Sequence, residues 1–204
     1  MIFFYYQYNP HTFSIMAKVL PDNVSNDGAV MNKMHNYTSA GIIVVRNDSN
    51  KPEIFCTIKP DMGLNVLNII YGWRDKTDKS AVETAFCVFA KETAGNIYWN
   101  CKGFPTISKA LWVETDNRFL FTVPSTDMRY RQYDYDDKLC EKARREISYA
   151  FTWVPIDEAL KIIQIHEAGI EVIIAGQKMR MPMSYFMIML LKDPSIVKAI
   201  QDTK

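Results

Sequence analysis

Residues 72–97 read GWRDKTDKSAVETAFCVFAKETAGNI, and this stretch decides how the chain folds. A glycine turn leads through a charged loop into a segment rich in apolar residues, which stops at Ala94-Gly95. This arrangement predicts a helix from about residue 79 to residue 93, with Asp78 or Thr77 as its N-cap.

The layout resembles the Nudix box of the Nudix hydrolases, written G-x5-E-x7-R-E-U-x-E-E-x-G-U, where U is an aliphatic residue. When the pattern is aligned backwards from Gly95, Gly72 lies two residues earlier than the opening glycine requires. The charged positions of the pattern then fall, in chain order, on Ser80, Val88, Phe89, Glu92 and Thr93. Glu92 is therefore the one carboxylate of the pattern that this chain retains.

The resemblance implies a test of metal binding, because family members hydrolyse a diphosphate linked to another moiety, usually with Mg²⁺ ions that bridge the phosphates. Magnesium takes oxygen ligands in near-octahedral geometry, so the carboxylates of a site must converge from one face. Glu83 and Glu92 are the only acids on the predicted helix. Nine residues at about 100° each place them roughly 180° apart. We therefore expect no metal ion, no cofactor and no catalytic residue here.

The predicted helix has almost no polar face between Ser80 and Lys91, and a helix that is apolar all round is covered on all sides. We therefore expect Phe89 and Val88 to fill the position of the metal cleft, or an arm or partner to cover it.

The alternative interpretation is a divergent Mg²⁺-dependent hydrolase of nucleoside diphosphate derivatives or RNA caps. In that case Glu92 would be the metal ligand, and Glu83 and Glu146 would be further catalytic acids, with Asp75 as another acid that could help. The competing structural interpretation makes Glu92 a solvated residue at the helix end that pairs with Lys91 or Arg74.

Composition limits the classes of function. The net charge of +1 gives no overall basic field that would draw the chain onto nucleic acid or an anionic membrane. The four cysteines lack metal-ligand spacing, and no apolar run reaches the length of a membrane span. The sequence therefore predicts a cytoplasmic protein without a membrane partner.

Hydrophobic patterning predicts one α+β domain. Strands are expected at about residues 39–46, 53–59, 97–104, 109–115, 118–124 and 146–155. Residues 64–73 are expected to form a short helix or turn followed by a strand. Further helices are expected at residues 156–169 and 182–194, the last with Pro182 in its first turn.

A second resemblance lies at residues 153–159, WVPIDEA, since Nudix proteins commonly end the sheet with a Trp-aliphatic-Pro-aliphatic pattern before an acidic helix start. Together with the AGIIVVR strand, the resemblance spans about residues 39–169. It implies a Nudix-like α/β/α sandwich with a mixed β-sheet. We divide the chain into an aromatic N-terminal arm (1–37), a Nudix-like domain (38–177) and an apolar C-terminal helical segment (178–204).

Two regions are candidate binding surfaces. In the charged loop at residues 125–145, cations alternate with aromatic rings, which suits base stacking and phosphate contact, whereas the aspartates that follow would repel a backbone. The candidate ligand-binding residues are Arg129, Tyr130, Arg131 and Tyr133. A solvated loop, or one buried in a protein interface, is the alternative. The aromatic arm and the Met-rich C-terminus are expected to pack on the domain or to mediate self-association or binding of a protein partner.

These observations favour a Nudix-fold protein that has lost diphosphate hydrolysis. It would act as a nucleotide-binding, RNA-binding or structural component of an assembly.

Overall fold

A computed structural model of the 204-residue chain describes residues 17–19, 36–48, 51–61, 63–93, 95, 97–99, 104–126, 128–130, 150–165, 169–174 and 176–204. The strands in these parts are β1 (Ala17–Val19), β2 (Ser39–Asp48), β3 (Lys51–Asp61), β4 (Leu64–Asn68), β5 (Ile70–Trp73), β6 (Ile97–Trp99), β7 (Lys109–Val113), β8 (Arg118–Pro124), β9 (Met128–Tyr130), β10 (Ala150–Pro155), β11 (Ile170–Ile174) and β12 (Gln177–Met181). The α-helices are α1 (Ala81–Glu92), α2 (Ile156–Gln164), α3 (Tyr185–Leu191) and α4 (Pro194–Gln201).

Eight of these strands form one mixed sheet in the order β1-β7-β8-β2-β3-β10, with β4 paired to β3 and β5 paired to β2. β2 and β8 run parallel, whereas the other pairs are antiparallel. β2 and β3 pair only where the end of β2 meets the start of β3, from Val45 opposite Ile54 to Asp48 opposite Lys51. Beyond that point they diverge, and β4 and β5 fill the space between them. The pairs β6–β9 and β11–β12 form two small separate sheets.

The sheet is buried on both faces. Along β2, Ala40, Ile42 and Val44 face α1, while Ile43 and Val45 face α2, α3 and α4. An apolar run such as GIIVV is typical of a strand covered on both sides. The result is an α/β/α sandwich with a mixed sheet, and the predicted fold class is confirmed.

The start of α1 corrects the predicted N-cap. Ser80 is the N-cap, and its Oγ accepts a hydrogen bond of 3.1 Å from the backbone N–H of Glu83. In return Glu83 Oε2 accepts one of 2.6 Å from the N–H of Lys79. The pattern is a variant of the capping box, since the glutamate three residues after the N-cap serine accepts from the N–H of the residue before the cap instead of from the cap itself. Thr77 and Asp78 lie in the preceding loop instead.

Several other boundaries differ from the prediction. Residues 64–68 form strand β4 rather than a helix or turn, because their backbone pairs with β3 from Thr57 opposite Asn68 to Asp61 opposite Leu64. Met128–Tyr130, which were predicted to be irregular, pair with β6. The β11–β12 hairpin and helix α4 were not predicted; Gly176 has φ +79° in the hairpin turn, and the Asp193 side chain caps α4.

The Met-rich C-terminus packs onto the sheet. Helix α3 begins after the N-cap Ser184, so Pro182 is not in its first turn; instead the Pro182 carbonyl accepts a 2.8 Å hydrogen bond from Leu67 N–H. Of the five methionines in this segment, Met179 is exposed. The other four are buried: Met181, Met183, Met187 and Met189. This burial supports the core-packing alternative for the segment.

Part of the predicted N-terminal arm is joined to the domain. Ala17–Val19 form the edge strand β1 against β7, and Tyr37 is buried against α1. The aromatic cluster at residues 3–8 lies outside the described residues, and the proposed domain boundaries stay a prediction. No helix in the described part of the chain is both long and apolar enough to cross a membrane.

Candidate functional site

Apolar side chains occupy the arginine and glutamate positions of the Nudix-box pattern. Phe89 is only 1% exposed, and its ring centroid lies 4.6 Å from that of Trp99 and 6.4 Å from that of Phe55. Val88 is half-buried and packs against Gly72, where an added Cβ would lie 2.9 Å from Val88 Cγ2. As predicted, Phe89 does not line an open cavity.

Helix α1 is nevertheless not covered on every side, which corrects a second expectation. Cys87, Ala90 and Lys91 are exposed, because the face that packs on the sheet carries Val82, Phe86 and the other residues at a helical spacing. Most of the exposed face of the helix carries small or weakly polar side chains such as Cys87 and Ala90. For this reason the sequence appears apolar all round.

Glu92 is held by a lysine from the sheet. Its Oε1 lies 2.6 Å from Nζ of Lys59 on β3, and both side chains are largely shielded from solvent. Glu92 ends α1, where the helix dipole disfavours a negative charge, so the lysine offsets an unfavourable position. The sequence had suggested Lys91 or Arg74 as the partner of Glu92. In the structure Glu92 forms its ion pair with Lys59.

The other acids near the helix also have structural roles. Glu83 closes the capping box, and Asp75 Oδ1 accepts hydrogen bonds from the N–H of Thr77 at 3.0 Å and from its Oγ1 at 2.9 Å. Asp78 Oδ2 accepts from Asp75 N–H at 2.9 Å and from Thr84 Oγ1 at 2.7 Å. Among the described residues, no three His, Cys, Asp or Glu side chains come together as a metal site requires.

The predicted ligand-binding loop is described only in part. Glu146, Arg131 and Tyr133 lie outside the described residues, and Tyr130 is described by its backbone alone. Arg129 is exposed on β9, and its Nη1 donates to the carbonyls of Thr126 at 3.2 Å and Met128 at 2.9 Å. The structure therefore does not test whether the four candidates lie together, and this site stays a prediction.

A cleft of about 430 Å³ lies along β10, and it is lined by Arg46 on β2, Glu53 on β3 and the β11–β12 hairpin. The guanidinium carbon of Arg46 lies 4.4 Å from the centroid of the Trp153 ring, and Arg46 Nε donates to Glu53 Oε2 at 2.8 Å. Thr152 Oγ1 donates to the carbonyl of Ile173 at 3.0 Å, which ties the hairpin to the sheet. The sequence flagged Trp153 as part of a fold pattern and missed that it lines a cleft.

A second polar feature lies at the opposite face of the sheet from α1. Arg118, the first residue of β8, is only 8% exposed; its Nε donates to Ser39 Oγ at 2.9 Å, and its Nη2 lies 3.6 Å from Asp116 Oδ2. Its guanidinium carbon lies 3.8 Å from the centroid of the Tyr71 ring and 4.1 Å from that of Phe186.

Burial lowers the pKa of Arg118, while Tyr71 and Asp116 act in the opposite direction. Arg118 Nη1 is buried and has no hydrogen-bond partner among the described residues. The sequence signal for this feature is a cation at the start of the otherwise apolar strand RFLFTVP, and sequence reasoning missed it.

Comparison with solved structures finds chains that resemble this one in three dimensions. The chain is similar to a Nudix hydrolase from M. smegmatis, RenU, at 8% identity, with 82% of this chain and 89% of that chain covered and a TM-score of 0.44. It is similar to a Nudix hydrolase from Nitrosomonas europaea at 14% identity (81% and 87% covered, TM-score 0.40). The Nudix domain of Shewanella oneidensis NrtR in complex with ADP ribose gives 12% identity (70% and 88% covered, TM-score 0.32).

No family model matches the sequence, and no curated protein matches it.

Proposed function

We propose that the chain is a Nudix-fold protein that does not hydrolyse diphosphates and acts by binding, with a nucleotide or RNA as its ligand, in a larger assembly. The observation that carries this proposal is the environment of Phe89 and Glu92. A buried ring stands at the glutamate position of the pattern, and the remaining carboxylate is paired with Lys59.

Electrostatics supports the absence of hydrolysis. A Mg²⁺ ion at Glu92 would have to displace the ammonium group of Lys59 and recruit further oxygen ligands from one side. Glu83 lies at the other end of α1, where it already accepts from Lys79 N–H. Helix α1 therefore offers one carboxylate, which is already paired with Lys59, where a Mg²⁺ ion needs several carboxylates that converge on one point.

An arginine stacked on a tryptophan supports the binding of a nucleotide or RNA. Arg46 stacks on Trp153 at the cleft along β10, with its guanidinium carbon 4.4 Å from the ring centroid. Arginine and aromatic surfaces of this kind accept nucleobases with little sequence preference. The exposed Arg129 would add a phosphate contact from β9.

A hydrolysis assay tests the first half of the proposal. The full chain is incubated with capped RNA and nucleoside diphosphate derivatives in Mg²⁺ or Mn²⁺, beside Glu92→Gln and the exposed control Glu114→Gln. We expect no turnover from any of the three. Turnover in the wild type and in the control that disappears in Glu92→Gln would overturn the proposal in favour of the divergent hydrolase.

A binding assay tests the second half. We expect the full chain to bind single-stranded RNA with an affinity that falls as salt rises, and Arg129→Ala and Arg131→Ala to weaken it. Arg180→Ala, which changes an exposed arginine on β12, serves as the control. RNA affinity that is the same in all three variants would contradict the loop as the contact surface.

A further inference from the structure

Three side chains form a row on the face of the sheet opposite α1, at the end where β2 and β8 begin. Ser39 lies opposite Trp73 on one side and opposite Arg118 on the other. Two strand spacings separate the backbones of Trp73 and Arg118, about 10 Å. Trp73 is 78% exposed, whereas Ser39 and Arg118 are buried. A large exposed ring and a buried cation therefore share one corner of the fold.

One nitrogen of the buried Arg118 guanidinium, Nη1, has no acceptor among the described residues. Its Nε is satisfied by Ser39, and Asp116 is 3.6 Å from its Nη2, but Nη1 has no partner among the described residues. Leaving a buried charged donor unpaired is costly, and nearly all such groups in folded proteins find an acceptor. The corner is therefore short of one acceptor.

The cation is also held in a fixed orientation. The rings of Tyr71 and Phe186 lie at 3.8 Å and 4.1 Å from its guanidinium carbon. Tyr71 comes this close to β2 because Gly41 has no Cβ, which would otherwise lie 2.5 Å from Tyr71 Cβ. A planar, oriented fork of N–H donors matches the oxygens of a carboxylate or phosphate.

We propose that this corner binds an organic anion whose carboxylate or phosphate accepts a hydrogen bond from Arg118 Nη1 and whose planar ring stacks on Trp73. Phe186, half-buried in the first turn of α3, packs over the guanidinium, so entry of the anion requires this ring to rotate away. The distance along the row suits a ligand with one ring and one acidic group. This site lies on the face opposite α1 and is independent of whether the chain hydrolyses diphosphates.

Calorimetric titration of the full chain tests the proposal with adenosine monophosphate, adenosine, inorganic phosphate and indole-3-acetate. We expect a ring that carries an anion to bind about tenfold or more tightly than adenosine or inorganic phosphate alone, because either half makes only one contact. The comparison of adenosine monophosphate with indole-3-acetate distinguishes a phosphate from a carboxylate as the anion.

Matched variants then locate the site. Trp73→Ala changes an exposed residue, and Arg118→Lys keeps the charge while removing the fork; each is expected to reduce affinity about tenfold or more. Arg74→Lys, which alters an arginine stacked on Tyr37 at the other face, is expected to bind as the wild type does. If Arg118→Lys does not fold, Trp73→Ala decides.

Two outcomes would overturn the proposal. One is a wild-type chain that binds none of the ring anions, which would mean that an internal water satisfies Nη1. The other is an affinity that is unchanged in Trp73→Ala.

Discussion

Oε1 of Glu92 lies 2.6 Å from Nζ of Lys59, so the one box carboxylate of α1 is neutralised by a cation that β3 supplies. The two residues are far apart in the sequence and meet because α1 packs across the sheet. The pair connects the end of the helix to the strand beneath it.

Removing either partner of this pair is expected to destabilise the fold by about 1 kcal/mol, because the pair is partly shielded and each charge would lose its partner. The measurement is urea denaturation of Lys59→Met, Glu92→Gln and the double variant. We expect the double variant to be more stable than the sum of the single effects implies. Strictly additive effects would show that the pair contributes nothing.

Phe89→Ala is expected to reduce the free energy of unfolding by about 3–5 kcal/mol, since it leaves a cavity between Phe55 and Trp99. Phe104→Ala is the matched control, because Phe104 is also stacked on a ring but is 53% exposed, and its cost should be much smaller. Equal losses in the two variants, measured by chemical denaturation, would contradict the packing role of Phe89.

Gly72→Ala is expected to destabilise the protein, because the added Cβ would approach Val88 Cγ2 to 2.9 Å and Val88 is branched and stiff. Val88→Ala removes both methyl groups that cause the clash. We therefore expect the double variant to lose less stability than the two single losses added together. Thermal unfolding of the four proteins measures this coupling, and its absence would show that the backbone moves to relieve the contact.

Ser80→Ala is expected to cost about 1 kcal/mol, because the N–H of Glu83 loses its acceptor at the start of α1. Ser80→Asp retains an acceptor and serves as the control, so its stability should stay close to that of the wild type. If the alanine variant is as stable as the aspartate variant in urea, the capping box is not a source of stability.

Hydrogen bonds from the N–H and Oγ1 of Thr77 lower the pKa of Asp75. A lowered carboxyl pKa in the folded state contributes stability that is complete above the unfolded pKa and disappears as pH falls through the folded value. We expect Asp75→Asn to flatten the acid side of the stability profile below about pH 5, as pH falls past the ordinary Asp pKa of about 3.9. Parallel wild-type and variant profiles in denaturation experiments would contradict this assignment.

The sequence predicted the strands of the sheet centre well, because β2 and β8 are short apolar runs that only a doubly covered strand accommodates. It also placed α1 within two residues at each end. The N-cap was wrong because three loop residues had suitable side chains, and the reciprocal glutamate at Glu83 was the signal that selects Ser80.

Contacts between distant segments could not be predicted. No spacing rule indicates that Lys59 meets Glu92, or that Tyr71 and Phe186 enclose Arg118, since these contacts depend on how helices settle on the sheet. The β11–β12 hairpin was missed for a related reason. The hairpin is tied to β10 by the hydrogen bond from Thr152 to the carbonyl of Ile173. Local patterning alone therefore gave a weak signal for it.

Because Phe89 packs between two rings, the effect of a substitution at this position depends on which residues occupy positions 55 and 99. A glutamate introduced there would place a carboxylate against hydrocarbon, and it becomes tolerable only if Phe55 and Trp99 are replaced at the same time. Each single substitution toward an acidic cluster at this position would therefore lower the free energy of unfolding before the cluster could assemble. The packing of this ring thus disfavours the evolutionary return of a glutamate at position 89.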